Sequence, residues 1–210
     1  MKLARAAECA ADYRGLNASV LYDPQWHNPE FENKQLKTYP TCDLRNSLTT
    51  LANMTDGDFQ RLSDGLIEEN GQLQTDAVIA PAVIYAAGRQ DIIEFNANLH
   101  GAAVRAANKL GRPCYATAFL AESVTANMNV IVDVMSSITS LPCDGWYYAF
   151  QFPDERIPSD NDAVYRCLRA CLLLALTGKP VMHAYAGPMG ILSIASGCTG
   201  AACGPDQTQW

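Results

Sequence analysis

His183 and Tyr185 stand two residues apart in the apolar run from Val181 to Ala186, and side chains two apart on a β-strand share one face. An imidazole and a phenol converging there suit proton transfer or substrate anchoring near neutral pH. The plainer reading is a buried histidine hydrogen-bonded to a neighbouring strand. Asp23 closes another short apolar run just before Pro24, a lone carboxylate placed for catalysis or a simple turn-forming Asp-Pro. Gln25 and His27 follow it at once. Gln151 shares a strand face with Tyr147 and Ala149, and Asp154, Glu155 and Arg156 come directly after. A carboxylate beside a guanidinium can be a base held ionised or an anion anchor, and it can equally be a solvated loop. These residues set the site expectation: Asp23, His183 and Tyr185 catalytic, with Gln25, Gln151, Asp154, Arg156, Gly187, Gly200 and Gly204 on the substrate. Glu122 beside Ser123 reads as a helix cap, and His100 as a structural residue within a helix.

The elements that must position them alternate strand with helix. Residues 3 to 13 read as an amphipathic helix and Ala18 to Tyr22 as a first strand. Residues 28 to 54 are polar, carry Pro29 and Pro40, and form a long inserted loop with room for a short helix around Leu44 to Asn53. Thr55 opens a helix that ends near Asn70-Gly71. Further strands follow at Asp76 to Tyr85, Cys114 to Leu120, Gly145 to Phe152, Val181 to Ala186 and Gly200 to Gly204. Helices between them show apolar residues at helical spacing: Ala87 to Leu110, Val124 to Ile138, Asp162 to Thr177 and Met189 to Ala195.

Such alternation means an α/β fold with a parallel sheet, in a single domain over residues 1 to 210. An open doubly wound sheet would carry a glycine-rich first turn, whereas here the first strand runs into Asp23-Pro24-Gln25. The pattern therefore predicts a (β/α)-barrel. Six strands are visible, against eight in a closed barrel of roughly 250 residues, so the barrel is expected to be partial or C-terminally truncated. The alternative hides two strands in residues 28 to 54. An uncovered sheet edge and the run Leu172 to Leu176 together predict self-association.

In such barrels the active site lies at the C-terminal ends of the strands. One stretch there resembles the phosphate-gripping part of βα-barrel (TIM-barrel) enzymes that bind flavin mononucleotide or ribose phosphates. It comprises Gly187-Pro188-Met189-Gly190, Ser196 to Ala201 and Gly204. The resemblance implies a phosphate held by backbone N–H groups at a helix start and glycine turns. The chain departs from that family at Pro188, which removes one donor where the family carries a second glycine. Asp23 at a strand end is also similar to the nucleophilic aspartate of tRNA-guanine transglycosylase-like proteins, although the zinc-binding cysteine cluster of that family is missing from the sequence.

Composition narrows the partners. The net charge is −7 with only 15 Lys and Arg, and these are scattered, so nucleic acid is a poor partner. The eight cysteines contain no C-x-x-C pair, which argues against zinc and for buried free thiols. No apolar signal region or membrane-span run is present, and with free thiols this points to the cytoplasm. No cofactor is named by any motif. The expected protein binds a small polar or phosphorylated ligand and derives from an enzyme. The alternative is a non-catalytic partial barrel used for assembly or binding.

Overall fold

The computed structural model describes residues 3–24, 26, 39–47, 54–151, 161–187 and 189–202. The helices are α1 (Leu3–Gly15), α2 (Pro40–Ser47), α3 (Asp56–Leu73), α4 (Gln90–Leu110), α5 (Glu122–Thr125), α6 (Met128–Thr139), α7 (Asn161–Ala175) and α8 (Met189–Ala195). The strands are β1 (Val78–Ile79), β2 (Cys114–Ala121), β3 (Gly145–Gln151), β4 (Val181–His183) and β5 (Gly200–Ala201), in spatial order β1-β2-β3-β4-β5. Each strand is parallel to its predecessor wherever the register is defined, and every connection carries at least one helix. A sheet that keeps stepping the same way is wound like a βα barrel, whereas a doubly wound sheet reverses. The fold is α/β, a half-barrel of five parallel strands.

Five strands stand where the pattern predicts six. The missing one is Ala18 to Tyr22, which has no regular secondary structure and pairs with no strand among the described residues. Val20 is instead tied at a single point: its N–H donates to Asp76 Oδ2 (2.6 Å) and its carbonyl accepts from the Asp76 N–H (2.8 Å). A carboxylate takes the place of the next rung of a ladder. β1 is short: Val78 and Ala80 donate to the Pro113 and Tyr115 carbonyls, but the Val83 N–H and carbonyl are taken by the Asn96 side chain, and the chain rejoins the sheet only at Tyr85, bridged to Leu120. Within the 28–54 stretch, the described residues hold α2 and no strand.

The chain divides into two compact units, one of Met1–Val83 with Glu94–Tyr115 and one of Ile84–Ile93 with Ala116–Trp210. In the first, Leu99, Ala102, Ala103 and Ala106 make a helical-period stripe along α4 that is buried with Leu62 and Leu66 of α3 and with Val78. α3 starts at a capping box between Thr55 and Asp58 and ends at Gln74, which adopts the left-handed conformation (φ 49°) three residues beyond the expected glycine stop.

In the second unit, alternation along the strands sorts side chains to two faces. Ala116, Ala118, Leu120, Trp146, Tyr148 and Val181 meet Val124, Ile131, Met135 and Ile138 of α5 and α6 and Ala170, Cys171 and Leu174 of α7. Thr117, Phe119, Tyr147 and Ala149 occupy the other face and are also buried.

Candidate functional site

The helix-facing side of β3 and β4 carries an aromatic and polar cluster. Tyr148 and His183 are paired across the strands, and their rings stack with centroids 4.4 Å apart and planes at 18°. Phe150 stands edge-on to both, at 5.5 Å and 5.6 Å. His183 Nδ1 lies 2.7 Å from Ser193 Oγ of α8. Burial pushes the imidazole down to about 4, so it is neutral near pH 7. Tyr148 Oη sits 3.2 Å from Cys198 Sγ, which is 2.9 Å from Cys171 Sγ. Burial raises the Tyr148 phenol well above its usual range. The contact between the thiols splits them: a hydrogen bond from Cys198 lowers Cys171, and the same bond raises Cys198.

His183 and Tyr185 do not share a face. β4 stops at His183, and Tyr185 adopts a left-handed backbone (φ 54°) that breaks the two-residue alternation. Its ring lies against Phe119, with centroids 6.3 Å apart, on the face that Phe119 shares with Tyr147 (5.8 Å). The imidazole thus faces the helices and the phenol the opposite side. Gln151 ends β3 and is exposed. Gly187 is exposed too, with φ 48°, a conformation that glycine adopts without strain.

The other expected site residues are dispersed. Asp23 is half-buried in an irregular segment of the first unit, not at a strand end, beside Tyr22. Gln25, Asp154, Arg156 and Gly204 lie outside the described residues. Gly200 has a packing role: a Cβ there would stand 3.0 Å from both Sδ and Cε of Met182. Of the amides expected to grip phosphate, those of the second turn are already engaged. Those of Ser196, Gly197 and Cys198 donate to α8 carbonyls, and Thr199 donates to Val181 O (2.8 Å). Moreover, Ser196 to Thr199 enter β5 at its N-terminal end, away from the strand ends where a barrel site forms.

No family model matches the chain, and no curated protein matches it. Among the described residues, no group of three or more His, Cys, Asp or Glu is arranged to hold a metal ion, and no helix is long and apolar enough to cross a membrane.

A second polar centre, in the first unit, was absent from the expected site. Glu69 is fully buried, and its Oε1 accepts from the Thr41 N–H (2.7 Å) while Thr41 Oγ1 lies 2.8 and 2.9 Å from its two oxygens. A carboxylate thus sits at the N-terminal turn of α2, where the helix dipole favours it. Burial nevertheless raises Glu69 to about 7, against the lowering pull of the Thr41 hydrogen bonds. Tyr22 and Tyr39 stack beside it at 5.4 Å, and burial raises both phenols. The arrangement can hold or release a proton near neutral pH, and it fastens α2 to α3.

Both centres left a trace in the sequence. Ser193 is the only polar side chain in the helix MGILSIA, and Glu69 occupies the apolar row of α3.

Proposed function

We propose that this half-barrel is a cytoplasmic, enzyme-derived protein that binds a small polar ligand with a planar ring at the C-terminal ends of its strands. Half-buried Tyr185 would offer the ring face, with buried Phe119 and Tyr147 packed behind it, and Gln151 a hydrogen-bonding rim. The observation that carries the reading is the backbone of Tyr185. A bulky residue held at φ 54° costs roughly 1–2 kcal/mol, and such strain gathers at binding and catalytic sites. Phosphate recognition by the Ser196 to Thr199 amides is not part of this proposal, since those amides have partners. Asp23 and His183 take no ligand contact in it.

The test is a thermal-shift screen with adenine, uracil, nicotinamide and flavin mononucleotide on wild type and Tyr185→Gly. Glycine relieves the strain, so the variant should melt at or above the wild-type temperature and lose the shift given by any wild-type ligand. A variant that keeps the shift, or melts much lower, would show Tyr185 to be a packing residue.

A second reading, assembly through the sheet edge, is favoured by a separate observation. Leu176 is 70% exposed, and on α8 Ile191, Leu192 and Ile194 are 79%, 43% and 53% exposed. α8 and β5 lie at the end of the sheet, where an apolar surface invites another chain.

A further inference from the structure

We propose that Cys171 and Cys198 form a reversible dithiol–disulfide pair, a modification site that a peroxide oxidises. The two sulfurs are 2.9 Å apart although their residues are 27 apart in sequence, one on α7 and the other on the turn between α8 and β5. Two thiols brought this close need only a small movement to bond. The surroundings are unlike those of an inert buried cysteine, because each sulfur has polar neighbours besides the other. Tyr148 Oη reaches Cys198 Sγ at 3.2 Å, and Cys171 Sγ reaches the Ser193 carbonyl at 3.7 Å. When Cys171 loses its proton, the thiol of Cys198 can donate to it, which stabilises the nucleophilic thiolate. Both thiols are buried, Cys171 fully, so the peroxide would enter by local opening of the turn, whose Gly197 and Thr199 are exposed.

The chemistry balances with a peroxide as oxidant. The Cys171 thiolate attacks one peroxide oxygen, the O–O bond breaks, and hydroxide leaves, giving a sulfenic acid. Cys198 sulfur then attacks Cys171 sulfur, the S–O bond breaks, and the departing hydroxide takes up the Cys198 proton as water. The hydroxide from the first step is protonated by solvent, making good the proton lost from Cys171. Two thiols and one peroxide yield one disulfide and two waters. A thiol reductant reverses the bond by exchange.

The experiment treats the reduced full chain with hydrogen peroxide under native conditions, alkylates the remaining thiols, digests with chymotrypsin and maps the peptides by mass. The expected result is a peptide pair linked through Cys171 and Cys198, lighter by two hydrogens and released by dithiothreitol. Cys167→Ser, which removes a buried thiol of the same helix, should give the same link, whereas Cys198→Ser should give none. Thiols consumed with no Cys171–Cys198 link would overturn the proposal. So would a link through Cys9, Cys143 or Cys203 in its place, or one formed only in denaturant. Because the wild-type map decides the question, a variant that fails to fold does not obscure it.

Discussion

Glu69 stands in a row that the period of α3 reserves for apolar side chains, between Leu66 and Leu73, and all three are buried. Its carboxyl goes from 4.5 in a solvated chain to about 7 when folded, so the native state binds the proton more tightly. Stability from this group is fully present below 4.5 and is lost as pH rises through 7, by roughly 3 kcal/mol at most. Glu69→Gln keeps the shape without the charge, and urea unfolding at pH 5 and pH 8 should show a smaller fall than in wild type. His183 has the opposite sign. Burial lowers it from 6.5 to about 4, so its contribution is present above 6.5 and is lost as pH falls through 4. His183→Asn should flatten the acid limb of the stability curve between pH 6.5 and 4, and an unchanged limb would mean that another group causes it. At this scale the sequence was partly legible. The imidazole and phenol were recognisable as chemical groups, but their shared face depended on Tyr185 staying extended, and a tyrosine gives no sign of a left-handed backbone in advance.

Among the elements, those with long apolar periods were the readable ones. α4, α7 and α8 fall close to where spacing places them, and α8 coincides with Met189 to Ala195. The first strand was misread because Ala18 to Tyr22 has strand length and apolar content, while its partner is the Asp76 side chain, which no periodicity reveals. Apolar content in α8 also has two destinations. Met189 is buried, whereas Ile191 and Ile194 are largely exposed. If α8 is an assembly surface, Ile191→Lys with Ile194→Lys should reduce self-association in light scattering while changing stability by no more than about 0.5 kcal/mol per site, as exposed substitutions usually do. Unchanged mass would remove the assembly reading.

For the whole molecule, the order β1-β2-β3-β4-β5 steps the same way at every crossover; strand–helix alternation made the parallel α/β class legible, and the lack of a glycine-rich first turn pointed to the barrel. The count was one strand too high for the reason given by Val20 and Asp76. The site was less legible than the fold, since a barrel places its chemistry by which face each strand end presents, and that is decided by turns as short as Ala184-Tyr185. The central claim is that the aromatic face formed by Phe119, Tyr147 and Tyr185 receives the ligand. Its most direct test is a titration of isotope-labelled protein with adenine, uracil, nicotinamide and flavin mononucleotide, followed through the aromatic-ring NMR signals. The account predicts saturable shifts at Phe119, Tyr147 and Tyr185 for at least one of these, with the His183 ring unmoved. Shifts centred on His183 or Tyr148, or no saturable shift from any of the four, would contradict it.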